Sequence, residues 1–427
     1  MSALWRDWSD WRAWAARAVV LAGAAAAGLA VVGFVLLSEA AAAQFDRWRA
    51  AWPWLPLLLT PLLTAAVVAV TSRWWPAVGG SGIPQVMVAL APEAAATARR
   101  WASLPLSAAK ALLTSLAMAG GLAVGREGPA VQIAAGVMQH AARWLPRGAA
   151  ITPHGLLVAG GAVGVAAAFN APLAGVLFAI EQLSRRLEEG SGLLVAAIVL
   201  GGLMAVSVFG NGHHFGVISV PPLSMALVGP GLAVTLACGL AGGLFARLLV
   251  ASLCGGLGRF GRWRRQAPVR FAAACGLGVA LVGLASGGAA FGSGHGYTRA
   301  LLAGEGESPG LMLLLRAVST WLSVWSGAPG GVFSPALALG AGLGHDLASL
   351  WAEPALRPAL IAMGMAAFLA AVTQAPVTAF IVVMEMVDGH AMVLSLMAAA
   401  LVAGGMSRSL SPPLYASVAQ ALLARGR

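Results

Sequence analysis

Long apolar runs follow one another from one end of this chain to the other, and many are cut short by glycine or proline. Leu55–Val70, Leu104–Val124, Leu193–Phe209 and Met225–Leu244 suit a hydrocarbon core ~30 Å thick at ~1.5 Å per helical residue. Ala272–Leu284, extended at both ends, and Met392–Ala403 with its flanks complete the clear spans. Only 10% of the 427 residues are charged, against about 25% in a soluble domain. The expectation is one all-α integral membrane domain over residues 1–427, with no stretch left for a separate soluble domain.

A second class of segment is too short or too broken to span: Ile83–Leu90, Pro129–Val137, Pro172–Leu183, Val332–Leu343, Pro376–Val387 and Pro413–Leu423. Several begin with proline, which suits a first helical turn because no N–H is lost there. Irregular backbone at membrane depth persists only where protein buries it or water lines it. The mixture fits a transporter or channel better than a simple bundle.

The second half also repeats the first. Gly125-x-x-x-Pro129-Ala130 matches Gly331-x-x-x-Pro335-Ala336, an offset of 331 − 125 = 206. Lys110-Ala111-x-x-Thr114 matches Arg316-Ala317-x-x-Thr320 at the same offset, and "APLAGVLFAIE" (Ala171–Glu181) matches "APVTAFIVVME" (Ala375–Glu385) at 204. The halves run from about 18 to 190 and about 224 to 424. Interrupted segments at corresponding places in two halves mark a midplane site in transporters. They direct attention to Gly79–Pro84, Gly125–Pro129 and Gly327–Pro335.

The formal charge of +11 has a plain source in short connectors: Arg99-Arg100, Arg143 and Arg147, Arg185-Arg186, and Arg259 to Arg270. These read as cytoplasmic loops under the positive-inside rule. No basic run is interleaved with aromatics as base stacking requires, so nucleic acid is not an expected partner. Trp54, Trp74, Trp75, Trp101 and Trp144 read as interfacial anchors. The N-terminal "MSALWRDWSDWRAWAARAVV" reads as an amphipathic interfacial helix leading into a span over Val19–Leu37. The following "AAAAQ" looks like a signal cleavage site, but the apolar run exceeds the ~7–15 residues of a signal core, so an uncleaved span is expected. Cys238, Cys254 and Cys275 show no metal or disulfide spacing and read as small packing residues.

"GGSGIPQ" (Gly79–Gln85) offers a hydroxyl, Ser81, and glycines for close backbone approach just before a helix start. Unpaired amides at a helix N-terminus form an anion site without a full positive charge. "GAPGGVFSPA" (Gly327–Ala336) repeats the design with the amides of Val332 and Phe333, and Gly125 and Gly128 open the backbone around Glu127. Each loop alone also reads as an ordinary Gly/Pro-capped turn.

A carboxylate inside a membrane domain is a functional hypothesis by default. Desolvation favours the neutral form of Glu127 and helix N-termini favour the ionised one, so its state depends on what occupies the site. Ionised, it competes with an anion for the same amides; protonated, it swings away. The blander reading pairs Glu127 with Arg126 at a loop surface. "GNGHHFG" (Gly210–Gly216) lacks a third ligand nearby and reads as a water-facing loop rather than a metal site.

"GSGIP", "GREGP", "GVFSP" and the terminal "PPLY" occur in this order in the CLC family of chloride channels and proton-coupled chloride exchangers, which this chain resembles from about residue 20 to 424. The resemblance implies two inverted-topology repeats, about 18 helices including many half-helices, and a homodimer with one pathway per subunit. It implies a multi-pass protein of a bacterial inner membrane, needing no cofactor and acting on chloride. It also implies a short form lacking the cytoplasmic CBS regulatory pair of longer relatives. By the same resemblance Ser81 and Tyr415 supply hydroxyls to chloride, and Val332 and Phe333 supply amides. Arg126 and Gly128 flank that site, and Glu127 matches the gating glutamate that also carries protons. Ser81 further weighs against the fluoride-exporting and nitrate-preferring branches.

One departure stands out. Exchangers of the family commonly carry two glutamates after "APLAGVLF", the second taking protons from the cytoplasm; here the pair is Glu181-Gln182. Gln182 has no titratable proton, and Glu181 points about 100° away on a helix. With Glu385 as its repeat counterpart, Glu181 is expected to be structural. Coupled chloride/proton exchange is the leading expectation, and a passive chloride channel the alternative. A membrane-embedded enzyme using Glu127 with His140 is the reading from another class; the chain has neither an HExxH motif nor a Ser/His/Asp set to support it.

Overall fold

The computed structural model describes residues 11–148, 151–184, 191–210, 212, 215, 225–306, 310–351 and 353–426. Arg185-Arg186 and the histidine pair of "GNGHHFG" lie outside them. Eighteen α-helices and no strand occur among the described residues. Eight helical stretches there are long and apolar enough to cross a membrane.

The helices fall into two matching series. In the first are α1 (Trp11–Ala51), α2 (Pro56–Trp74), α3 (Ile83–Leu90), α4 (Leu104–Ala119), α5 (Glu127–Ala141), α6 (Pro153–Phe169), α7 (Pro172–Phe178) and α8 (Ser191–Phe209). The second begins with α9 (Met225–Leu253) and, after the short basic helix α10 (Gly258–Gln266), continues through α11 (Pro268–Ala285), α12 (His295–Leu302) and α13 (Gly310–Trp325). It ends with α14 (Phe333–Trp351), α15 (Arg357–Thr373), α16 (Pro376–Met386) and α17 (Val393–Leu410), and α18 (Leu414–Gly426) follows. Three pairs of counterparts match in length: α3 and α12 have 8 residues each, α4 and α13 have 16, and α6 and α15 have 17. The Gly125 and Gly331 loops meet as an antiparallel bridge, so corresponding segments approach each other head to tail.

Local chemistry explains the breaks. Asn170 and Gln374, 204 residues apart, both end their helices in the left-handed region at φ 54°. Each is followed by alanine and then by a proline at the first turn of the next helix. A left-handed residue stops one helix and proline, with no amide to lose, starts the next. Inside the core, small residues let backbones touch. A Cβ on Gly340 would sit 2.3 Å from the Gly364 carbonyl oxygen, and one on Gly364 would sit 2.4 Å from that of Gly340.

Glu181 and Glu385 tie α7 to α16 reciprocally. Glu181 accepts from the amides of Val377 (3.0 Å) and Thr378 (2.7 Å) and from the Thr378 hydroxyl. Glu385 accepts from the amides of Leu173 (3.2 Å) and Ala174 (2.7 Å). Each carboxylate satisfies the orphan donors that begin its partner helix and meets the positive end of that helix dipole. Replacing either with alanine is expected to cost about 1–2 kcal/mol, as lost N-caps do. The sites are about 12 Å apart along the helix pair, by ~1.5 Å per residue, so the double variant should lose the sum. Thermal unfolding of the two singles and the double in detergent checks both statements.

Three expectations change. Of the N-terminal segment read as an interfacial helix, Met1–Asp10 lie outside the described residues, and from Trp11 the chain is continuous with the span as one 41-residue helix. Arginines stacked on Trp11 and Trp14 hold its first turns together. At ~1.5 Å per residue this helix is about twice the hydrocarbon thickness, so it tilts or projects into the headgroups. The half-span expected over Val332–Leu343 becomes the 19-residue α14, carried past Leu343 by half-buried His345 and Asp346, 3.5 Å apart. Cys254 is exposed rather than packed; Cys238 and Cys275 are buried.

Candidate functional site

The three interrupted elements meet. Gly125 and Gly331 exchange both backbone hydrogen bonds, at 2.8 and 2.7 Å, and the Gly330 amide donates to the Gly80 carbonyl at 3.1 Å. Gln85 closes the first loop on itself: its amide oxygen accepts from Gly82 N at 2.9 Å, and its Nε2 donates to Gly79 O at 2.5 Å. Gly82, at φ 112°, turns this loop into α3. Lys110, completely buried, donates its ammonium protons to Val78 O (2.8 Å) and Gly80 O (2.6 Å). It clamps a loop rather than snorkelling.

Glu127 begins α5 and is 3% exposed. One carboxylate oxygen accepts from the hydroxyl of Ser334; the other, Oε2, is buried with no hydrogen-bond partner in the protein. The Arg126 guanidinium instead bonds Glu39 of α1 at 2.5 Å. The surface ion pair between Arg126 and Glu127 therefore does not form.

Ser81 and Tyr415 approach from opposite ends of the sequence. The Tyr415 phenol feels both the Glu127 carboxylate and the Ser81 hydroxyl. Ser81 Oγ and Tyr415 Oη are buried and, like Glu127 Oε2, have no hydrogen-bond partner. Gly128 packs so tightly on Ser81 that a Cβ there would lie 2.4 Å from Ser81 Oγ. Val332 and Phe333, 2% and 1% exposed, bring the first-turn amides of α14, which no helical carbonyl can satisfy. The Phe333 ring stacks on Tyr415 (6.2 Å between centroids) and packs against Phe169 and Phe178. Buried donors without partners cost about 1–3 kcal/mol each. Hydroxyls and helix-start amides in an apolar wall can hold a small anion without a cation's grip.

A cavity of about 390 Å³ reaches this place from one side, with Ser81, Val332 and Tyr415 among its lining residues. Arg264, Arg265 and Arg425 line it as well. By the positive-inside rule this is the cytoplasmic side. Arg264 is pushed down to about 10, first by burial and then by Arg425, and remains cationic at neutral pH. Glu127 and Phe333 are not part of the lining, so the cavity stops short of the carboxylate.

Ser81, Gly128, Val332, Phe333, Tyr415 and Glu127 are thus brought together. Gln182 is not: it lies half-buried in the π turn Ala179–Leu183 that ends α7, next to a Glu181 already bound to α16. His140 is at the far end of α5 from Glu127, 2.8 Å from Arg143, and offers it no acid–base partner. Ser334 was missed as a Glu127 partner, although it stands 334 − 128 = 206 residues after Gly128 in the repeat and inside a quoted motif. Glu39 was missed entirely; a glutamate late in an apolar helix gives no hint of which arginine it will meet.

The chain as a whole is similar to known proteins. The chain is 33% identical over 392 residues to the H(+)/Cl(-) exchange transporter ClcA of Klebsiella pneumoniae, covering 89% of this chain and 81% of that protein. It is 34% identical over 397 residues to the ClcA of Cronobacter sakazakii, covering 87% and 82%. Its fold superimposes on a slow cyanobacterial Cl-/H+ antiporter with a TM-score of 0.83 at 22% identity, over 97% of this chain and 99% of that one. A eukaryotic CLC transporter gives 0.77 at 21% identity, over 96% and 74%. Residues 63–408 match the family model described as voltage gated chloride channel, and with these likenesses the chain belongs to that family, the CLC membrane proteins.

Proposed function

We propose that this protein moves chloride across the membrane in exchange for protons, with Glu127 serving as both gate and proton carrier. Three buried, unpartnered polar atoms carry the reading: Ser81 Oγ, Tyr415 Oη and Glu127 Oε2. The two hydroxyls, with the amides of Val332, Phe333 and Gly128, make a central chloride site open to the cytoplasmic cavity. Glu127 stands beyond it. Ionised, the carboxylate takes the place the anion wants; protonated, it leaves, and the proton moves with it. Relatives named as exchange transporters support coupling. The active unit is a homodimer in a bacterial inner membrane, each subunit one domain with its own pathway.

The test is to reconstitute the purified protein, impose a chloride gradient and record chloride and proton movement together. Uphill proton movement driven by chloride is the expected result; chloride flux with no proton movement sinks exchange. That second outcome is the passive channel, a reading favoured by one observation. Gln182 cannot titrate, and the adjacent Glu181 is held by three hydrogen-bond donors at the start of α16.

The hydroxyl pair gives a separate expectation. Removing both in Ser81→Ala plus Tyr415→Ala deletes two hydrogen bonds to a charged ligand, each worth about 1.5–3 kcal/mol. Calorimetric chloride affinity should fall by at least about a hundredfold at ~1.4 kcal/mol per decade. An unchanged isotherm would remove the hydroxyls from the site.

A further inference from the structure

The repeat places a second copy of the Ser81 loop on the opposite side of the membrane. Gly80-Ser81-Gly82 corresponds to Gly292-Ser293-Gly294, an offset of 292 − 80 = 212. The flanking glycines share positive φ in both copies: 76° and 112° in the first, 66° and 89° in the second. Each loop opens an eight-residue helix, α3 or α12. The basic residue behind each loop also corresponds, Lys110 in α4 and Arg316 in α13.

The two basic residues are not equally satisfied. Lys110 has carbonyl partners on its loop. Arg316, 2% exposed, has five N–H donors to place. Its Nη1 donates to Ala289 O, and the Tyr297 ring covers its face at 4.9 Å. Nε and Nη2 are buried with no hydrogen-bond partner. Nη2 lies against Gly294, where a Cβ would come within 2.4 Å of it. A buried guanidinium with an unpaired edge is costly unless something negative meets it.

The neighbourhood adds positive charge. Burial first, and then Arg126 and Arg299, push His295, the first residue of α12, down to about 4, so it is neutral at working pH. Arg49 approaches Gly288 in the same loop region and donates to Gly287 O at 3.3 Å. Among the described acids, Glu39 bonds Arg126, and Asp46 lies 3.8 Å from Arg49. Gly296 and Arg299 are exposed and Ser293 half-buried, so the loop is reached from water.

We propose that this outer loop holds a second small-anion site, with the Nε/Nη2 edge of Arg316, the Ser293 hydroxyl and the first-turn amides of α12 as donors. Its ligand is a monovalent anion of halide size. It is separate from the central site, and its existence does not depend on Glu127 acting as a gate.

Bromide is the probe, because it binds as a halide and can be located by anomalous diffraction. Crystals of the full chain in bromide should show an ion within hydrogen-bonding distance of Arg316 Nε and Nη2, besides the one at Ser81. In Arg316→Lys the outer ion should vanish while the central one stays. Lysine is the other half's own solution to clamping this loop, so the variant should fold. In solution, the Ser81→Ala/Tyr415→Ala protein should keep a bromide isotherm, which Arg316→Lys abolishes and Ser293→Ala weakens about tenfold. Should Arg316→Lys fail to fold, Ser293→Ala alone carries the test. An occupied central site with nothing against Arg316 overturns the proposal. So does a residual isotherm indifferent to both outer substitutions, or crystal density with no isotherm at all, which marks an adventitious ion only.

Discussion

Glu127→Gln should abolish proton movement while leaving chloride flux through the protein, and chloride flux should lose its dependence on external pH. Glutamine keeps the shape of the side chain and an oxygen to accept from the Ser334 hydroxyl, so the local packing survives. What disappears is the proton and the negative charge together. An uncharged amide competes poorly with chloride for the site's amides and hydroxyls, so the barrier formed by the ionised carboxylate is lifted. Simultaneous chloride and proton recordings in liposomes read both effects. Proton flux should drop to the level of protein-free vesicles, and chloride flux should stay within about tenfold of wild type, a barrier change under ~1.4 kcal/mol. Preserved coupling would take the proton role away from Glu127. Abolished chloride flux would mean that the carboxylate is needed for passage itself.

The fate of Gln182 bears on the same experiment. Glu181 and Glu385 are carboxylates in apolar helices, yet the sequence reads them as structural rather than as proton relays. The structure uses them as reciprocal helix caps. The repeat made this legible, since two residues related by internal symmetry are more easily explained by a shared structural task than by a pathway with one direction. If exchange occurs, protons reach Glu127 from the cytoplasm without a side chain that titrates at position 182.

Much of the architecture could be read from hydropathy, because lipid forces backbone groups to pair within the segment. The α3 helix was delimited to the residue, Ile83–Leu90, since Gly82 and Pro84 fix its start. Helix ends set by tertiary context were less visible. Nothing in the pattern around Leu343 announces that α14 continues through a histidine and an aspartate. At the candidate site, the three interrupted loops meet through their backbones, where glycine and proline constrain the chain directly. A partner fixed by distant packing, such as Glu39 for Arg126, carried no local signal, whereas Ser334 could have been found from the repeat. An apolar helix reads the same whichever neighbour its single polar residue will meet.

Gly128 supplies the sharpest steric test of that convergence. A methyl there would lie 2.4 Å from Ser81 Oγ, 2.8 Å from Ser81 O and 3.3 Å from Gly331 Cα. Ser81 Oγ could rotate aside, but two of the three contacts are backbone and cannot be relieved without moving a loop. Those loops are the Ser81 loop and the bridge between residues 125 and 331, the two walls of the proposed central site. Gly128→Ala should therefore open that site. Overpacking of this kind costs about 1–3 kcal/mol. If most of it falls on the bound state, chloride affinity drops about tenfold or more. Gly33→Ala in α1 is the control, because a Cβ there meets nothing within 4 Å. Alanine at that mid-helix position should leave chloride binding untouched and stabilise the protein slightly, by about 0.5–1 kcal/mol. Chloride calorimetry and thermal unfolding on the two variants separate a site defect from a general one. Equal affinity in Gly128→Ala and wild type would mean that the central site is not built against this glycine.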